Sequence, residues 1–328
     1  MKRNQAVQKK PLPKPGTVQF GWGWNQHEQI NEILYKALPK DHPLKAFIKA
    51  NHTAIQIVCE AEDSNRLRHF IHLDDIDYLE NPRSLSYAAG DITWKSVEKK
   101  FKNSQKKVME AALKNDLGLW SQRIWGSPKN VLGLLAYYRQ QLLEALTQTP
   151  QNKETIVKWV GKIMHLVDAG QPFHLTRDYS WPVPLHNGSI VDLHKWIEKL
   201  PICGAIAKER LIKSTASWIE KHRNEESLKP VAEKVAAKNY LRLFDMFKLI
   251  KPKRQNSDST FTNRGVTELE GWQGDIQELL QKSVVETAGL IGVVLLRAFE
   301  SAPLDPEMLK ALPTERSIKQ KATLALNA

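Results

Sequence analysis

Apolar residues recur at helical spacing in one segment after another of this chain, and no convincing alternation of apolar and polar residues is found. A helix that buries one face needs apolar side chains three and four residues apart, whereas a half-buried strand needs them two apart. Ile30, Ile33, Leu34 and Leu38 follow the first pattern, in a helix that Asn25 can cap. Leu44 to Ala61 predicts a second helix, and Trp94 to Lys114 a strongly basic one. Asn130 to Thr147 predicts an amphipathic helix with Leu132, Leu135, Tyr138, Leu142, Leu143 and Leu146 on its apolar side. Lys153 to Val167, Ala205 to His222, Leu228 to Ile250 and Gly274 to Ser301 read as further helices. The pattern predicts an all-α fold: one multi-helix domain over residues 21–302, between a disordered basic tail (1–20) and a mobile tail (303–328).

With 328 residues and 41% hydrophobic content, the chain can bury a sizeable core. Its net charge of +12 and pI near 9.5 attract polyanions, among them nucleic acid, phosphorylated substrates and anionic membrane surfaces. Two cysteines, Cys59 and Cys203, do not make a disulfide framework. A membrane-spanning helix needs roughly 20 apolar residues. The best candidate, Ala288 to Leu296, is cut off by Arg297 and predicts a buried core helix rather than a transmembrane span. The basic start MKRNQAVQKK is followed by no apolar region, so a secretory signal is not expected, and no compartment follows.

The chemistry-bearing stretch is Met164 to Glu198. Asp168 and His174 lie six apart across an AGQP turn, and Pro172 ends the preceding helix, which frees the His174 ring to turn inward. His194 and Glu198 lie four apart, so on a helix both sit on one face and can reach one ion. Imidazole and carboxylate are the preferred ligands of zinc. Upstream, His69, His72, Asp74, Asp75 and Asp77 crowd into nine positions. A His and a Glu four apart are equally an ordinary solvated pair, and the run around His69 equally a polar connector.

Taken together, these residues resemble the zinc-dependent phospholipase C and single-strand nuclease superfamily. The likeness runs from about Trp22 to Glu198. It is carried by Trp22, Gly23 and His27, by His69-Phe70-Ile71 with Asp74 or Asp75, and by Gly118-Leu119-Trp120 before Arg123-Ile124. Asp168 with Gln171, Pro172 and His174, then His194 with Glu198, complete it.

The resemblance implies metal-assisted phosphodiester hydrolysis with up to three zinc ions. It implies that His174, His194 and Glu198 hold one ion and that Asp168 bridges two others. His69 with Asp63, and His27 with the Trp22 backbone, complete those, and Asp63 or Asp75 is the base. Phospholipid head groups are the first expected substrate. Single-stranded nucleic acid, stacked on Trp24, Tyr179 or Trp181, is the alternative. A partly degenerate zinc-binding homologue without catalysis is the third reading.

Three departures stand out. Met164 occupies the position four before Asp168 where the superfamily carries a ligand His, and His165 follows it. Trp22 is internal, so it offers no free amino group. The upstream acid is Glu60, Glu62 or Asp63, all close to His69, with Asp63 preferred.

Overall fold

The computed structural model describes residues 24–63, 106–107, 110, 131–175, 182–184, 190–197, 200, 202–250 and 273–310. Among them the helices are α1 (Trp24–Ala37), α2 (Pro43–Ala50), α3 (His52–Asp63), α4 (Val131–Thr147) and α5 (Lys153–His165). They continue with α6 (Leu193–Ile197), α7 (Ala205–His222), α8 (Leu228–Ile250) and α9 (Gln273–Glu300). Two 3₁₀ segments, Leu166–Gly170 and Pro172–Leu175, follow α5, and a third spans Pro306–Leu309. The expected all-α class is observed.

The core is organised on α9. It packs against α1, α4, α7, α8 and the 3₁₀ segment Leu166–Gly170. Residues Ala288 to Leu296 are all buried, because each face of this stretch meets a neighbouring helix. Among the described residues α9 is the one helix long and apolar enough to cross a membrane, and its apolar window lies mostly inside the protein. At Gly289 the absent side chain admits the indole of Trp218, and at Gly292 it admits Ile219 and Leu34.

A single helix from Leu44 to Ala61 is not what forms. The chain breaks at Asn51, whose backbone leaves the helical region at φ −114°, ψ 20°. Asn51 is buried, and its Nδ2 donates to Phe47 O at 3.0 Å and to Met308 O at 3.2 Å. That second bond ties the 3₁₀ turn Pro306–Leu309 to α2, against which it packs with Met308 buried. Residues 1–20, the basic helix expected at Trp94 to Lys114 (except 106–107 and 110) and residues 311–328 lie outside the described residues. The sequence also hid a short antiparallel ribbon, β1 (Pro182–Pro184) paired with β2 (Ile190–Asp192). Three residues cannot display alternation. Two prolines are tolerated there because, among the described residues, each strand has one partner and a proline can turn its ring to the other edge.

His42 caps α2. Its Nδ1 accepts from Leu44 N–H at 3.2 Å, while Nε2 lies 3.5 Å from Glu300 Oε1. Burial lowers the pKa of His42 below its ordinary 6.5, against the opposing pull of Glu300. The unfolded chain therefore binds the proton more readily than the folded one. Stability falls as pH drops from about 6.5 toward the lowered folded value, since a protonated Nδ1 cannot cap. Urea unfolding between pH 7 and 5 should show a shallower loss for His42→Asn, which keeps a capping oxygen without the titration. Equal slopes for the two proteins refute this account.

Candidate functional site

Pro172 does not end the preceding helix as expected. The helix α5 has already ended at His165, and the chain tightens into 3₁₀ turns through Gly170 before Pro172. A side chain at Gly170 would collide with Thr287 Oγ1 of α9, so this turn lies flush on the central helix. His174 is then fixed within the second 3₁₀ turn by its N–H bond to Gln171 O at 2.9 Å.

His194 stands in the first turn of α6, directly after β2. The far end of α6 is tied to α1. Gln26, fully buried, donates from Nε2 to Ile197 O at 3.1 Å and also to Leu200 O. Ile197 closes α6 and its carbonyl also accepts from Leu200 N–H at 3.0 Å, so the glutamine holds the turn that follows the helix. One glutamine thereby locks the start of α1 to the element that carries His194. Nothing in the sequence around Gln26 marks it for this role, because its partners lie more than 170 residues away.

The result is that His174 and His194, twenty residues apart, meet inside the protein. Their Nε2 atoms are 3.0 Å apart and the rings stand edge to face at 78°. Both side chains are almost fully buried, at 6% and 8% exposure. Such a contact has two chemical forms. One ring can donate its N–H to the other's lone pair, or both lone pairs can serve one cation. Two nitrogens each about 2.0–2.1 Å from a tetrahedral zinc ion lie about 3.3 Å apart. The observed 3.0 Å is the first form as it stands, and the second is reached by a small opening of the pair.

A second imidazole pair lies at the start of α1. His27 stacks on His165, with ring centroids 4.7 Å apart and planes 24° from parallel. Met164 meanwhile sits in the apolar core at 4% exposure.

The remaining expected site residues divide simply. Trp22, His69, Asp75 and Glu198 lie outside the described residues, as do Tyr179 and Trp181 and the side chains of Trp24, Asp63 and Asp168. Asp63 is the last residue of α3, and Asp168 belongs to the first 3₁₀ turn. Among the described residues no group of three or more His, Cys, Asp or Glu side chains converges.

Glu62, one of the three upstream acids, is engaged elsewhere. Its Oε1 pairs with Lys162 Nζ, and its Oε2 accepts from the Tyr138 hydroxyl at 3.2 Å. The Lys162 ammonium also lies over the Tyr138 ring at 5.3 Å and the Trp159 ring at 5.8 Å. A carboxylate held this way is a structural group rather than a candidate base.

Compared with known proteins, the chain matches no family model, no curated protein and no solved structure.

Proposed function

We propose that this protein is a zinc-dependent phosphodiester hydrolase, with phospholipid head-group cleavage of the phospholipase C type as its first activity. The observation that carries this reading is the meeting of His174 and His194 at 3.0 Å, from two motifs chosen on ligand chemistry alone. Two facing imidazole nitrogens can share one N–H or hold one cation, and imidazole is a preferred ligand of zinc. His174 and His194 would hold zinc, with Glu198 the third ligand expected from its spacing to His194. Zinc held there would supply charge neutralisation of the phosphate and activation of the attacking water. The basic surface favours the approach of an anionic substrate.

One observation favours a second reading, a zinc-binding homologue without catalysis. Met164 is packed in the core, so the position four before Asp168 supplies no ligand.

Elemental analysis for zinc on purified protein tests the two together with hydrolysis assays on phosphatidylcholine vesicles and on single-stranded DNA. Head-group release that disappears in His174→Ala and His194→Ala, along with bound zinc, supports the phospholipase. Cleavage of DNA alone moves the substrate to nucleic acid. Zinc with no hydrolysis supports the binding homologue. Unchanged zinc content in both variants removes the site.

A further inference from the structure

We propose that Arg242, Asn239 and Thr287 are positioning residues that hold the His174 ring against His194. The use of that pair as a metal site rests on the zinc reading above; the positioning itself needs no metal.

On α9, Ser283, Glu286 and Thr287 stand three and four residues apart and so share one face. On α8, Asn239 and Arg242 are three apart and share a face in the same way. The two faces meet through a chain of hydrogen bonds. Arg242 Nη2 donates to Glu286 Oε2 at 2.7 Å, and its Nη1 donates to Ser283 Oγ at 3.2 Å and to Asn239 Oδ1. With Oδ1 engaged in this way, the amide is turned so that Nδ2 donates to Thr287 Oγ1 at 3.1 Å. Lys238 Nζ donates to the other oxygen of Glu286 at 2.9 Å. Asn239, Ser283 and Thr287 are all fully buried. Apolar side chains here would bury equally well but would let the helices slide by small steps. Hydrogen bonds have fixed directions, and a shift that strands one buried partner is costly. The network therefore fixes the register of α8 on α9.

That register reaches the site because the 3₁₀ turns lie on both helices. The turn Leu166–Gly170 packs on α8 and α9, and the turn Pro172–Leu175 packs on α8. An added Cβ at Gly170 would lie 2.7 Å from Thr287 Oγ1, so the hydroxyl at the end of the network is the surface on which the first turn rests. Gln171 follows, and its carbonyl accepts the His174 N–H. His194 is set from the other side, through Gln26 and α1, and α1 also packs on α9. The central helix is thus the common reference for the two rings. Gln26 fixes one ring against it, and Arg242, Asn239 and Thr287 fix the other.

Full-length protein is stripped with EDTA, and the histidine ring nitrogens are read by nitrogen NMR at mildly alkaline pH, with signals assigned from His174→Gln and His194→Gln. The unaltered protein is expected to show one Nε2 carrying a proton that the other accepts. Thr287→Val and Asn239→Leu are expected to lose this shared-proton signature while circular dichroism shows the fold intact. They are also expected to bind zinc about 10-fold more weakly in competition with a chromophoric chelator. Thr287→Ser, which keeps the hydroxyl, is expected to retain both properties. If Asn239→Leu does not fold, Thr287→Val decides alone. No shared proton in the unaltered protein, an unchanged one in Thr287→Val, or one lost equally in Thr287→Ser overturns the positioning role. If the unaltered protein binds no zinc, yet the signature is lost in Thr287→Val and kept in Thr287→Ser, the zinc reading falls and the positioning role stands.

Discussion

Lys162→Met should cost about 3–5 kcal/mol of folding stability, the cost of stranding one member of a buried ion pair. Lys162 joins α5 to α3 through Glu62, and both residues are buried. Without the ammonium, the Glu62 carboxylate keeps only the Tyr138 hydroxyl among the partners described above. The cation also leaves the Tyr138 and Trp159 rings, which takes away roughly another 0.5–1 kcal/mol of attraction. Converting both partners, Lys162→Met with Glu62→Leu, should recover most of the loss. An apolar pair of similar volume needs neither desolvation nor a partner. Urea unfolding of the two single variants and the double variant measures this. A loss below about 1 kcal/mol for Lys162→Met would mean that water reaches the carboxylate, and the account of a sealed pair would fail.

The neighbouring residue gives the second large effect. In an exposed helix, glycine to alanine adds about 1 kcal/mol of stability. At Gly161 the sign should reverse, with a net loss of about 1–3 kcal/mol from overpacking. A Cβ there would lie 2.7 Å from Val58 Cβ and 2.9 Å from Ile55 O. The second of these is backbone and cannot rotate aside. The same close approach lets Cys59 Sγ donate to Gly161 O at 3.3 Å. Thermal unfolding of Gly161→Ala checks the sign, and Gly161→Ala measured in a Val58→Gly background, which removes Cβ as well as the methyls, separates the causes. Recovery in the double variant assigns the loss to the side-chain collision. Continued loss assigns it to the carbonyl of Ile55. A more stable Gly161→Ala contradicts the close packing of α3 on α5.

Both residues show where sequence reading stops. The helical period found α1, α4, α5, α7, α8 and α9, because a buried helix face writes itself locally at three- and four-residue spacing. The same period ran through Asn51 without a mark. The break there depends on a hydrogen bond to Met308, 257 positions away. The three-residue strands at Pro182 and Ile190 carried too few positions to show a period at all.

The candidate site divides in the same way. His174 and His194 were legible as ligand types, since the Pro172 turn and the His194–Glu198 spacing are local features. That their Nε2 atoms touch was not legible, because α6 is placed by Gln26 and by the packing of the 3₁₀ turns on α9. On a regular helix one residue is a turn of about 100°, so His165 and Met164 face different ways. A change from 3.6 to 3.0 residues per turn after α5 alters that phase.

The sequence alone determined α1, α4, α5, α7, α8 and α9 and which residue types could serve a metal, because both follow from neighbours within a turn or two. The tertiary structure alone decided which imidazoles meet, that Glu62 is held by Lys162, and where glycine is required. Each of these depends on helices brought together by burying apolar faces that carry no record of their partners.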